Sequence, residues 1–569
     1  MDRKTLIAVG LSVAVIIISL IIQTKFFPVP SQQALSNNYV DNTVITETQK
    51  TEVYKVQEEE STVKVSSSEK NEIVTEIVRE TNLLKIKFSK TGGEITSLLL
   101  KEHLDVMGNP VQLIIKPNEH KFFSIAFGQF NTKPVDADFE FTDLGNNRWQ
   151  FSTELVSPDS VPFLLTKTYT FPPNSYLFEL EVEIENSENE LPSLDFNGIS
   201  YTLGVSPQIG PAYETLDGRN EYRNFRYLTD GKAKNLRLRR KEVVSETTRV
   251  RWTSIVGKYF ALIVVPDAQL YTITYDNRKD LELTNRSSLF LSRPPINSSR
   301  NIDKFRFYIG PLKREILTRY NDPMNDPFKI GNYQFELAAR SNPIIGWLAN
   351  ILRFFLDSFY KLIPNYGVSI ILLTILIKIL FFPLTQKSFE STSKMSALGP
   401  KIEDIKKKHQ GKPEKLNQEM MSLYKKEGVN PLGGCLPLLL QMPIFFALFE
   451  LLNNAFDLRG AVFISPWIAD LSAPEKFLSL GFTLPLLNWD ELRILPFVML
   501  GTTLFQSKIS QSPSINQGQM KLMMYGMPIF FFFILYNMAS GLVIYWTMQN
   551  VLSIFQQLYI NQKRKKKKI

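Results

Sequence analysis

Thr374 and Lys378 place a hydroxyl and an ammonium four residues apart in a segment that is otherwise apolar from Gly367 to Leu384. In a helix that spacing puts both groups on one face. Together they could hold a carboxylate by charge attraction and hydrogen bonding. An isolated charge inside a membrane span costs a few kcal/mol unless it faces water or a partner, so it marks a functional position. The competing reading is snorkelling. Lys378 is only about 9 Å, at 1.5 Å per residue, from the end of the apolar run.

Little else in the chain offers reactive chemistry. A single cysteine, Cys435, excludes an intrachain disulfide and a thiolate zinc site, and its apolar surroundings favour packing. His103, His120 and His409 are scattered, so no histidine metal cluster and no metal site is expected. Of the net charge of +9, six positive charges come from Lys563-Arg-Lys-Lys-Lys-Lys568. Such a run is either a solvated end or a surface that attracts lipid headgroups or RNA phosphate.

The elements that must position Lys378 follow from hydrophobic patterning. Residues 1–24 contain an uncharged run from Leu6 to Ile22, just long enough to cross a bilayer. No small-residue cleavage signal follows it, which favours an uncleaved N-terminal anchor over a signal peptide. Residues 25–70, rich in Ser, Thr, Gln and Glu, predict a flexible linker. From 71 to 325 the pattern is of short alternating runs broken by turns, as in the acidic strand 176–185 and the apolar strand 259–265. That predicts a large antiparallel β-sandwich. Residues 333–363 change to helical spacing, with Arg353, Asp357 and Lys361 opposite Trp347, Leu348, Ile351, Phe355 and Phe359. An amphipathic helix lying in the membrane interface is expected.

Apolar segments at 367–384, 432–452, 492–508, 522–537 and 541–560 predict a five-helix transmembrane bundle within 364–560. The fold class is thus an α+β membrane protein: an anchor helix, an outer sandwich and then the bundle. Residues 386–428 carry ten lysines, whereas 453–491 hold only Arg459 and Lys476. The positive-inside rule therefore puts both termini and the 386–428 segment in the cytoplasm, with the sandwich outside. Within 386–428, Leu398, Ile402 and Ile405 form one stripe and Leu416, Met420 and Leu423 another. Gly411-Lys-Pro413 lies between them, so a helical hairpin is expected. Its outer faces carry Lys406, Lys407, Lys408, Lys425 and Lys426, which either are merely solvated or dock a partner.

Several segments carry a family likeness. Asn430-Pro-Leu-Gly-Gly-Cys-Leu-Pro-Leu-Leu-Leu-Gln-Met-Pro-Ile-Phe-Phe446, Gln418-Glu-Met-Met-Ser-Leu-Tyr424 and Ser540-Gly-Leu-Val-Ile-Tyr545 resemble the YidC-type membrane protein insertases, in the long form of double-membrane bacteria. Weaker echoes are Lys258-Tyr-Phe-Ala261 and Tyr308-Ile-Gly-Pro311. The resemblance implies a non-enzymatic insertase and chaperone of the bacterial inner membrane, with no cofactor. It implies a hydrophilic groove open to the cytoplasm, in which Lys378 attracts acidic substrate tails. Thr374, Gln441, Tyr545 and Trp546 are the candidates to add hydrogen bonds. Implied partners are nascent membrane proteins, the Sec translocon and membrane lipids, but not DNA. An anionic ribosome would meet the hairpin lysines and a tail beginning Lys563, Arg564, in the basic segment 561–569. One departure stands out, because the family typically has arginine where this chain has Lys378. A lysine keeps the charge and loses the planar fork that grips a carboxylate with two bonds.

Each groove candidate also has a packing alternative: Gln441 as a bond between helices, Tyr545 and Trp546 as members of an interfacial belt. Two other functional classes compete with insertion. A transporter or channel using Lys378 as an anion site should show internal repeats, and none is evident between the spans. A carbohydrate-binding or enzymatic sandwich would need a carboxylate–histidine set, which is not evident around His103 and His120.

Overall fold

The computed structural model describes residues 60–65, 76–105, 108–115, 121–186, 194–206, 209–211, 223–236, 238, 242–267, 269–277, 288–339, 345–428, 436–484, 489–509 and 522–567. The expected anchor at 1–24, Cys435 and His120 lie outside them, as does most of the linker.

The outer domain is built from antiparallel sheets around one continuous apolar core. In the largest, Arg148–Val156, Pro162–Thr170, Leu177–Asn186, Arg300–Pro311, Phe260–Val265 and Trp252–Val256 pair in that order. A five-stranded and a four-stranded sheet complete the β-structure of this part. Strand Leu177–Asn186 shows why the alternation was so clear. Phe178, Leu180, Val182 and Ile184 are buried, while Glu179, Glu181 and Glu183 pair with Arg306, Lys304 and Arg300 of the neighbouring strand at 2.8, 2.9 and 2.5 Å. The acidic row is a cross-strand ladder of opposite charges, and at such exposure solvent screens most of its attraction.

Inside this domain Lys167 is fully buried and donates to the carbonyls of Gly92 and Phe123 at 2.8 and 2.7 Å. The Tyr169 hydroxyl caps the carbonyl of Gly93 at 2.9 Å. Gly92 and Gly93 have φ of +74° and +55°, so the turn leaves carbonyls pointing inward that need these donors.

Two boundaries differ from the sequence expectation. Lys64 and Val65, placed in the flexible linker, form a short strand on the edge of the large sheet, against Val156 and Leu155. The unpaired edge offers main-chain hydrogen bonds that composition does not reveal. The expected helix at 333–363 is two separate pieces. Residues Phe335–Ala338 form a 3-10 turn whose Phe335 and Ala338 belong to the outer-domain core, and Trp252 Nε1 donates to the Tyr333 carbonyl at 3.0 Å. Ala339 is extended, and the second piece, a helix, begins at Gly346.

Helices are numbered from a short one, Arg314–Arg319 (α1). Then come α2 (Gly346–Leu362), α3 (Tyr366–Ala397), α4 (Gly399–Lys408) and α5 (Pro413–Lys426). The rest are α6 (Leu436–Asn454), α7 (Leu495–Ile509), α8 (Met527–Leu535) and α9 (Ser540–Lys567). In α2 the core side is Ala349, Leu352 and Leu356, whereas Trp347, Ile351 and Phe354 face outward. Two of the residues expected on its apolar face, Trp347 and Ile351, are therefore turned away from the protein. Helix α3 does not stop at Leu384: it continues through Pro383 and on to Ala397, taking the first part of the expected 386–428 segment into the same rod. Helices α4 and α5 then pack as a hairpin on Met395, Leu398, Ile402, Met420 and Tyr424, turned by Gly411 at φ +82°.

Helices α2, α3, α6, α7, α8 and α9 share a second apolar core. Among the described residues one helical stretch, Tyr366–Pro383, is long and apolar enough to cross a membrane alone, and Gln441–Asn453 and Met524–Leu535 are shorter apolar helices.

Candidate functional site

Helix α3 carries Lys378 into the interior of the bundle, where it is 8% exposed. Its Nζ donates to Ser553 Oγ of α9 at 2.7 Å, and Ser553 in turn donates to the Gln549 carbonyl at 2.7 Å. Seven residues along α3, Thr385 meets Gln556 of α9, whose Nε2 donates to Thr385 Oγ1 at 2.9 Å. The two helices therefore run parallel and share a polar seam. Lys378 and Thr385 line a small recess with Ile377, Phe381, Gln441, Ile444 and Gln549. Gln549 Oε1 is buried and has no hydrogen-bond partner among the described residues.

The five predicted groove residues do not converge on this recess. Gln441 of α6 lies in it and reaches Tyr545 OH from Nε2 at 3.4 Å, a weak bond. Tyr545 is 1% exposed and sits behind the recess wall. Thr374 is fully buried and its hydroxyl donates to the Ile370 carbonyl of its own helix at 2.7 Å. That back-bond satisfies the hydroxyl without any contribution from Lys378. Trp546 lies in an aromatic cluster, its ring 5.1 Å from both Phe445 and Phe531.

Ser553, Gln549, Gln556 and Thr385 were not singled out from sequence. The signal was there: Gln549, Ser553 and Gln556 recur at helical spacing in an apolar span. A second polar contact, Asn550 Nδ2 to Thr503 Oγ1 at 2.7 Å, ties α9 to α7.

The outer end of the bundle is closed by buried polar groups. Arg493 is 3% exposed and donates to the Glu475 carbonyl at 3.0 Å, to Glu491 at 2.9 Å and to Asn537. The Glu475 carboxylate accepts from the backbone of Ile494 and Leu495 at 3.1 and 2.6 Å, capping the start of α7. At the junction with the outer domain, Asp457 binds Lys313 and Arg353, each at 2.7 Å. Beside it Phe456 packs edge-on against His103 and Phe260. Burial, with Arg459 and Lys313 nearby, pushes the His103 imidazole down to about 4.

At the opposite end, Lys407, Lys408, Lys425 and Lys426 are exposed and Lys406 is half-buried. Lys401 pairs with Glu427 at 2.7 Å across the α4–α5 hairpin. The side chains of Lys563 and Arg564, on the last turns of α9, lie outside the described residues.

An apolar helical bundle with a cation in its interior, joined to a large antiparallel β-domain, is the architecture of an integral membrane protein with a domain outside the bilayer. The 60Kd inner membrane protein model matches residues 358–568, and the YidC periplasmic domain model matches residues 76–337. The membrane protein insertase YidC of Treponema denticola is 37% identical, over all of both chains. That of Treponema pallidum is 35% identical over 87% of this chain and 86% of its own. A crystal structure of an active YidC insertase with its first transmembrane domain resolved covers 87% of this chain and 93% of its own, at 18% identity and a TM-score of 0.37. The chain belongs to the YidC family of membrane protein insertases. It is an inner-membrane insertase with a periplasmic domain, and it is not an enzyme; the transporter reading has no support among these relatives.

Proposed function

We propose that the recess beside Lys378 is the inner end of a substrate groove open to the cytoplasm, and that Lys378 draws acidic residues of a nascent chain into the bilayer. The burial of Lys378 inside the bundle, at the lining of a polar recess, carries this reading. A carboxylate at about 4 Å from such an ammonium gains roughly 4 kcal/mol at an effective dielectric of 20. Moving a polar tail through hydrocarbon costs several kcal/mol per unsatisfied backbone group. A polar recess reaching part-way across the bilayer shortens that path. Gln441, Gln549 and Thr385 offer hydrogen bonds along it. Thr374, Tyr545 and Trp546 support its wall. The incoming span then leaves sideways into lipid, favoured by about 25 cal/mol per Å² of apolar surface buried.

In this reading the N-terminus and C-terminus are cytoplasmic and six spans, counting the anchor, place the β-domain in the periplasm. The hairpin lysines Lys406, Lys407, Lys408, Lys425 and Lys426, with Lys563 and Arg564, face the ribosome. Partnership with the Sec translocon rests on the family alone. The test is photocrosslinking from a ribosome-stalled nascent membrane protein to a probe at Phe381, beside Lys378, with Phe555 on the outer flank of α9 as control. Adducts at Phe381 during insertion are expected. Adducts at Phe555 with none at Phe381 would reject the groove.

A further inference from the structure

Between α6 and α7 the chain forms a two-stranded ribbon, Leu478–Leu484 against Trp489–Leu492. The second strand is anchored. Trp489 stacks on Tyr536 of the α8–α9 turn with centroids 3.7 Å apart and rings 8° from parallel. Tyr536 OH donates to the Glu491 carbonyl at 2.9 Å, and the Glu491 carboxylate holds Lys476 and Arg493 at 3.0 and 2.9 Å.

The first strand, by contrast, is largely exposed, and it carries large apolar groups that the described chain leaves uncovered. Phe477, Leu478 and Phe482 are 52%, 54% and 61% exposed. The ladder is irregular between Ser479 and Leu484, and Gly481 sits there at φ +70°. Such a bulge bends the strand and re-aims its side chains. Three large apolar groups clustered on so short a ribbon exceed the scatter of single exposed hydrophobics.

What covers them follows from continuity with the membrane. Helix α7 begins at Leu495, within about 10 Å of the ribbon's end at roughly 3.3 Å per residue. Its first turn exposes Phe497 and Val498, at 44% and 43%, so exposed apolar groups occur on both the ribbon and the start of the span that follows it. Helix α2, from the connection to the outer domain, likewise exposes Trp347 and Phe354, at 61% and 67%. A two-stranded ribbon has unpaired backbone edges, which hydrocarbon does not tolerate. It can rest at the headgroup boundary and cannot cross it.

We propose that this ribbon dips into the outer leaflet, with Phe477, Leu478 and Phe482 at the headgroup–acyl boundary. There it holds the outer connection between α6 and α7 at a fixed depth. The test uses the full chain with Cys435→Ser and Phe482→Cys, labelled with an environment-sensitive dye. It is reconstituted into phosphatidylethanolamine–phosphatidylglycerol vesicles containing lipid spin-labelled near the glycerol or near the chain end. Leu478→Cys is the second position. Ser298→Cys, exposed at the far end of the outer-domain strand Arg300–Pro311, is the aqueous control. Dye at 482 and 478 should be blue-shifted and quenched more by the shallow label than the deep one, while dye at 298 is neither. Water-like emission at 482 and 478 would overturn the proposal. So would a blue shift insensitive to both spin labels, which would mean that protein, such as a second copy, covers the ribbon.

Discussion

Lys378 and Ser553, 175 residues apart in sequence, are joined by a 2.7 Å hydrogen bond between two parallel helices of the bundle. Ser553 passes the interaction to the backbone of its own helix at Gln549. The Ser553 hydroxyl is a neutral acceptor that helps to orient the ammonium in the bundle interior.

Removing that hydroxyl should loosen the seam. Ser553→Ala is expected to cost about 1 to 2 kcal/mol, the range for a hydrogen bond to a charged group moderated by what membrane interiors show. Denaturation of the purified protein in detergent measures it. In a Lys378→Met background the same change should cost less than about 0.5 kcal/mol, since the partner is gone. Equal costs in both backgrounds would mean that Ser553 matters only for its own helix.

The Asp457 contacts predict how the outer domain is coupled to the bundle. Asp457→Asn leaves Lys313 and Arg353 facing each other without their shared carboxylate. Breaking one partner of a partly buried ion cluster costs on the order of 1 to 3 kcal/mol. The junction around Phe456 should open to limited proteolysis before either core unfolds. A cleavage pattern identical to the parent's would show that apolar packing alone holds the junction.

His103 makes that junction sensitive to acid. Its folded value of about 4 lies below the usual 6.5, lowered first by burial and then by Arg459 and Lys313. Between these values the unfolded chain binds more protons than the folded one, so stability is retained above pH 6.5, falls as pH drops toward 4, and levels off below. Denaturation midpoints across that window should show the loss, and His103→Phe should remove it. An imidazole titrating near 6.5 in the folded protein would contradict the burial described.

The cytoplasmic hairpin should be needed as a folded surface. Leu398 is 7% exposed in the seam of α4 and α5, and Leu398→Asp puts a charge among Ile402, Met420 and Tyr424. Insertion should fail while the protein still reaches the membrane. Replacing Lys407, Lys408, Lys425 and Lys426 with Gln should leave the hairpin folded and weaken ribosome co-sedimentation, most visibly as salt rises. Salt-independent binding, unchanged by the four substitutions, would exclude the electrostatic account.

Much of this architecture could be read from periodicity. The alternating acids at Glu179, Glu181 and Glu183 mark a strand because the period of two survives wherever one face is buried. The hairpin seam is legible for the same reason at a period near 3.6. Lys378 stands out because a lone charge in an apolar run is costly. Its partner does not, because serine is common in membrane helices and nothing local says which helix it meets. Thr374 shows the converse limit. Spacing put it on the face of Lys378, but a buried threonine can satisfy itself by bonding back to Ile370. Trp347 and Ile351 fall on the apolar stripe of a helix expected to lie in the membrane interface, and in α2 both are exposed. In a membrane protein the apolar stripe can face lipid and the core side can be smaller residues such as Ala349.

The central claim is that the positive charge at 378 is what the substrate's acidic tail is drawn to. In cells depleted of the native insertase, insertion of a substrate with an acidic N-terminal tail is measured for Lys378→Arg, Lys378→Ala and Lys378→Glu. The same substrate with its tail carboxylates changed to amides serves as comparison. Lys378→Arg should retain activity, and Lys378→Ala and Lys378→Glu should lose roughly tenfold or more on the acidic tail, as loss of about 1.4 kcal/mol or more of attraction implies. Both should keep most activity on the neutral tail. Full insertion of the acidic substrate by both the Ala and the Glu variants would contradict the account.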